Sequence, residues 1–134
     1  MENKKIELLN QLLEAEKAGV VTLDFFQKAY PDVELPLDLI KSDESWSTNG
    51  LIESVKREGG VPSKNTGDFA DKVKAQEGLS NRLSLLNKGQ SWVVRKIDDL
   101  FQMELHEETR SFLTQMKKKH IENIQTCQDF LDRQ

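Results

Sequence analysis

Four side chains able to ligate a metal or carry a proton sit among apolar neighbours in this sequence: Glu16, Glu44, Gln90 and His120. At the helical advance of about 100° per residue, the segment around Glu16 turns Leu8, Leu9, Leu12, Leu13, Leu23 and Phe26 to one side. Glu16 falls near the middle of that side, whereas Glu7, Glu14, Lys17 and Lys28 fall outside it. The same rotation puts Glu44, with Ser47 one turn on, inside a stripe of Ile40, Leu51 and Val55, with Asp43 toward the edge. Gln90 centres a stripe running from Leu79 to Phe101 through Leu83, Leu86, Val93, Val94 and Ile97. His120, with Asn123 beside it, centres another that contains Leu113, Met116, Ile124, Cys127 and Phe130.

Burying a carboxylate unpaired costs several kcal/mol or forces its pKa up, so Glu16 and Glu44 are expected to meet a partner inside the core. Three kinds of chemistry satisfy that demand. Glu16, Glu44 and His120 suit one divalent ion, Zn, Fe or Mn, with water completing the shell and Gln90 as a polar neighbour. A buried network would instead have His120 protonated or donating to one carboxylate while Gln90 donates to the other. Finally, a carboxylate raised in pKa by apolar walls could act as a general base, although no substrate-specific motif accompanies it.

The elements that must position these residues follow from proline, glycine and capping signals. A first helix is predicted from about Glu2 to Ala29, stopped by Tyr30-Pro31-Asp32. A second, opened by Pro36 or Ser42, runs to Glu58 and ends at Gly59-Gly60, a pair suited to a left-handed cap. Residues 61–67 read as loop, and Asp68 as the N-cap of a short helix through Gln76. The third long helix spans Leu79 to about Met103, and the fourth runs from around Glu107 to the C-terminus, with acidic residues in its first turn. Helices one and two are about seven residues apart and helices three and four about five, as in antiparallel neighbours, whereas about twenty separate helices two and three. Two hairpins joined by one long crossover between Glu58 and Leu79 define an all-α, ferritin-like four-helix bundle, with residues 1–134 as a single domain.

The phrases Leu12-Leu13-Glu14-Ala15-Glu16-Lys17-Ala18-Gly19, Asp43-Glu44 and Leu85 to Lys96 resemble a bacterial ferritin-like family of unknown function, DUF6306. In the ferritin-like superfamily, helices one and three each donate a Glu to a di-iron centre, and helices two and four each donate a Glu-x-x-His pair. The resemblance implies that Glu16 matches the helix-one Glu, Glu44 the Glu of the helix-two pair and His120 the His of the helix-four pair. Gln90, Ser47 and Lys117 stand at the other three positions. Two carboxylates and one imidazole remain, a set for at most one divalent ion rather than for a di-iron oxidase.

Composition bounds the remaining readings. With 19 basic and 23 acidic residues the net charge is −4, which offers no basic excess for nucleic acid or an anionic membrane. One cysteine allows no internal disulfide, and the charged residues between Met1 and Ala18 leave no signal-peptide core, so the expected address is cytoplasmic. Cys127 reads as a small buried hydrophobe, His106 as a solvated link residue and Lys117 to Lys119 as a solvent face. Trp92 lies off the inner stripe, either covered by the crossover between Val61 and Val73 or forming a homodimer surface; Trp46, also off-stripe, adds weight to dimerisation. Two functions from different classes follow. One is a metal-binding protein related to di-iron bundles; the other is a non-catalytic helical interaction module whose inner polar residues are structural and whose protein partner the sequence does not name.

Overall fold

Asn3 opens the first helix by accepting the backbone N–H groups of Lys5 (3.1 Å) and Ile6 (3.3 Å) on its side-chain oxygen, satisfying donors that the helix itself cannot. In this computed structural model, which describes residues 3–134, five helices follow in order: α1 Lys4–Ala29, α2 Leu37–Arg57, α3 Phe69–Ala75, α4 Leu79–Leu100 and α5 Glu107–Asp132. The predicted start near Glu2 lies outside the described residues. Among those residues there is no strand, and no helix is long and apolar enough to cross a membrane.

The helices end where local chemistry stops them. Proline 31 closes α1 one residue after Tyr30, and Gly59 (φ +94°) and Gly78 (φ +84°) take the left-handed backbone after α2 and before α4. Two expectations are corrected. Asp68 occupies the N-cap position of α3, but its side chain makes no cap hydrogen bond and pairs with Lys72 at 3.6 Å instead. The third long helix, α4, stops at Leu100 rather than Met103. Residues 101–103 tighten into a turn whose carbonyls, at Phe101 and Met103, accept from the Arg110 guanidinium of α5 (3.3 and 3.0 Å).

Pairing follows the lengths of the links. The helix α1 packs on α2, and α4 on α5; α1 also touches α4, and α2 touches α5, while α1 and α5, like α2 and α4, make no close backbone approach. The apolar residues split into two clusters. One joins Leu9 and Leu12 of α1 to Leu51 and Val55 of α2, Val93 and Ile97 of α4, and Leu113 and Met116 of α5. The other joins Leu23 and Phe26, Ile40, Leu83 and Leu86, and Cys127 and Phe130 from the same four helices. The order of these residues makes α2 and α4 run in one direction and α1 and α5 in the other. The chain must therefore return the length of the molecule between α2 and α4.

That return is fastened to the outer face of α1. Asn10 donates to the Val61 carbonyl (3.0 Å) and accepts from the Ser63 N–H (2.8 Å), Ser63 Oγ donates to Glu14 (2.6 Å), and Lys17 donates to the Ser63 carbonyl (2.7 Å). Charged residues that face away from the core thus hold the crossover. Beyond it, α3 buries Ala70 and Val73, and Phe69 lies over Gly89 of α4, where a β-carbon would come within 2.7 Å of its ring. Val61 points to solvent, so Phe69 covers α4 and Val61 does not.

Candidate metal centre

Between the two apolar clusters runs a layer of buried polar side chains. Each long helix contributes, with Glu16 from α1, Glu44 and Ser47 from α2, Asn87 and Gln90 from α4, and His120 and Asn123 from α5. Glu16, Glu44 and His120 come together, their candidate ligand atoms all within 4.8 Å of one another. His120 Nε2 lies 2.9 Å from Glu16 Oε1 and 3.9 Å from Glu44 Oε2, so the imidazole spans the core diagonal from α5 to α1. Each of the three residues is no more than 3% exposed.

The helix backbone fixes the ring. His120 Nδ1 sits 2.9 Å from the Met116 carbonyl, which can only accept, so Nδ1 carries a proton and a neutral ring presents the Nε2 lone pair to the carboxylates. Close as it is, the contact with Glu16 is not aligned as a hydrogen bond. Glu16 Oε1, Glu44 Oε2 and His120 Nε2 are all buried without a hydrogen-bond partner, as are Ser47 Oγ and Gln90 Oε1. Buried polar atoms are normally paired, so several orphans in one layer call for an explanation.

Glycine at position 19 makes room for one ligand. A β-carbon there would lie 3.0 Å from Glu44 Oε2 and 3.1 Å from its Cδ, so Glu44 rests almost against the α1 backbone. Burial pushes the Glu44 carboxyl well above the usual range, with the neighbouring Glu16 and Asp43 adding to the effect. For His120 burial alone would lower the pKa, but the charge and contact of Glu16, the Met116 carbonyl and the charge of Asp43 outweigh it and leave the imidazole raised. Asp43 itself accepts from Asn123 (3.1 Å) and pairs with Lys119 (3.4 Å), which also lies over the Trp46 ring.

Gln90 corrects the expected network. Its Nε2 donates to Asn87 Oδ1 (3.3 Å), not to a carboxylate, and Asn87 in turn donates to the Ile124 carbonyl (3.0 Å). Asn87, buried three residues before Gln90 on the same face, carries no signal in the apolar periodicity, because the adjacent Leu86 occupies the inner stripe at that turn. Lys117 pairs with Asp98 at 2.6 Å on the surface and stays out of the layer. His106 is exposed, as expected.

Glu16, Glu44 and Gln90 also line a cleft of about 590 Å³ between α1 and α4, bounded by Trp92 and by Phe69 at the start of α3. Trp92 is half-buried along its wall. Trp46, the other off-stripe indole, packs at a tilt of 41° on Phe112 of α5 with ring centres 4.9 Å apart.

A family model described as a domain of unknown function, DUF6306, matches residues 3–129. The chain belongs to that family. No curated protein and no solved structure matches it.

Proposed function

We propose that this protein is a ferritin-like four-helix bundle that binds one divalent ion, Zn, Fe or Mn, through Glu16, Glu44 and His120. The observation that carries the reading is the set of three buried, mutually adjacent ligand atoms that make no hydrogen bonds. Ligands held about 2.1 Å from one metal lie roughly 3 to 4 Å from each other; the 2.9 and 3.9 Å separations from His120 Nε2 are close to that range, and the whole set lies within 4.8 Å. Two carboxylates neutralise a divalent charge in a low-dielectric core, and Nδ1–H donation to Met116 leaves the tautomer that ligation requires. The two hairpins, the long return and the shared height of the polar residues support the ferritin-like architecture.

Gln90, Ser47 and Lys117 replace the residues that would hold a second ion. A bound ion would supply Lewis acidity or an activated water at the floor of the cleft. Metal analysis of protein purified without a histidine tag tests the reading, with about one divalent ion per chain expected and its loss expected in Glu16→Gln and His120→Gln. Two irons per chain would overturn it. So would the absence of any ion together with indifference of the melting temperature to added Zn, Mn or Fe, an outcome that leaves the polar layer as a device fixing helix register in an interaction module.

A further inference from the structure

One end of the Gln90 amide is tied through two helices and the other is free. The Ile124 carbonyl of α5 can only accept, so Asn87 presents Nδ2 to it (3.0 Å) and keeps Oδ1 for its own helix. That oxygen accepts from Gln90 Nε2 (3.3 Å), which leaves Gln90 Oε1 as the free end. Gln90 is 3% exposed, and Oε1 is buried without a partner in the layer that also holds Glu16, Glu44 and His120. A buried carbonyl left unmet is costly, so an acceptor fixed in this way requires a donor.

The side chains of the layer do not supply one. His120 Nδ1 faces the Met116 carbonyl, and Asn123 donates to Asp43. Ser47 Oγ is itself without a partner, so its hydroxyl does not reach Gln90. Glu16 and Glu44 are acceptors only once they ligate an ion, because ligation displaces the proton that burial favours on Glu44. Three protein ligands leave a position for water, and a water polarised by a divalent ion is a strong donor. We propose that Gln90 Oε1 accepts a hydrogen bond from the water that completes the shell of the ion, with Asn87 as the positioning residue that aims it. The inference rests on the metal reading, since that water exists only where Glu16, Glu44 and His120 hold an ion. An acceptor favours water over hydroxide, which has one proton fewer to donate, so Gln90 raises the pH at which the bound water ionises.

Divalent cobalt, whose visible absorption follows ionisation of a bound water, tests this in the wild type, Gln90→Met and Asn87→Leu, titrated with alkali and with metal content measured on the same samples. Both substitutions keep the side-chain volume and remove the hydrogen bond. About one cobalt per chain is expected in all three, with the ionisation about 0.5–1 pH unit lower in Gln90→Met. Asn87→Leu should lower it at least as far, because the released amide can rotate and turn its N–H groups to the water. An ionisation at the same pH in all three overturns the inference and leaves Gln90 against an ordinary buried water. Loss of cobalt from Gln90→Met alone also overturns it, by making Gln90 a ligand. Where alkali unfolds the protein before the water ionises, the side-chain carbonyl carbon of Gln90 in isotope-labelled protein is the readout. A downfield move on zinc loading that Asn87→Leu abolishes supports the assignment, and an unmoved resonance overturns it. A wild-type protein that takes up neither cobalt nor zinc overturns the metal reading and this one with it.

Discussion

Metal-free and metal-loaded protein should respond to pH in opposite directions. In the folded, metal-free chain both Glu44 and His120 hold their protons more tightly than their ordinary values of 4.5 and 6.5. A group whose pKa rises on folding contributes stability that is complete below its unfolded value and is lost as pH climbs through the folded one. Metal-free stability should therefore decline as pH rises, beginning above 4.5 for Glu44 and above 6.5 for His120. Ligation has the opposite sign because an ion must displace those protons, so the stabilisation it adds grows with pH. Each displaced proton is worth up to about 1.4 kcal/mol per pH unit. With an unfolding entropy of about 2.1 cal/mol/K per residue, a chain of 134 residues gains about 0.28 kcal/mol/K, which converts each proton to about 5 °C per pH unit. Thermal unfolding followed by circular dichroism from about pH 5.5 to about pH 8.5, in EDTA and in saturating Zn or Mn, reads both slopes. Glu58 and Asp24, whose carboxyls are lowered, act on the acid side of this window and do not interfere. A metal increment of equal size at every pH would place the ion away from His120 and Glu44. A metal-free melting temperature that rises across the window would refute the raised proton affinity of Glu44 and His120.

Other consequences can be checked on the same protein. A β-carbon at Gly50 would run into the Phe112 ring, so Gly50→Ala should lose about 1–3 kcal/mol by overpacking despite a helix-propensity gain of about 1 kcal/mol; a higher urea midpoint would show that the ring is free to move. Glu58 pairs with Lys5 at 2.9 Å and accepts the His106 N–H at 3.0 Å. Although burial opposes it, these bonds and Thr109 hold its carboxyl below the usual value, so its stability contribution is present above 4.5 and lost as pH falls through the folded value. Glu58→Gln should therefore cost about 1–2 kcal/mol near neutrality and little in acid, read by denaturant unfolding at both pH values. Burial pushes the Cys127 thiol from 9.0 up to about 11. A disulfide reagent near pH 8 should consequently meet about a hundredfold less thiolate in the folded chain than in the unfolded one, and fast labelling of native protein would contradict the buried position.

Periodicity and punctuation made much of this molecule legible. The one-dimensional pattern of apolar residues fixes which face of each helix turns inward, because a helix advances by a constant angle. Glu16, Glu44, Gln90 and His120 could thus be assigned to the core before any fold was known. The lengths of the links implied two hairpins and a return along the molecule, since chain reach is limited and short links join neighbours. Pattern alone does not determine how far a helix continues once other elements compete for its end. Arg110, in the first turn of α5, takes the Phe101 and Met103 carbonyls across the short link, and α4 stops at Leu100.

Tertiary packing also decided which inward atoms meet. Sequence gave no way to choose between Asn87 and a carboxylate as the acceptor for Gln90, because that choice depends on rotamers and on the Ile124 carbonyl of a different helix. The close seat of Glu44 against α1 needed Gly19 opposite it, and the contact of His120 with Glu16 needed two helices whose backbones never closely approach. Glu14 and Lys17 looked like solvated charges and became fasteners for the crossover only once Ser63 lay beside them. Rotation about a single helix axis is a local property that residue order determines; distances between side chains on different helices depend on how those helices pack, and only the folded chain sets them.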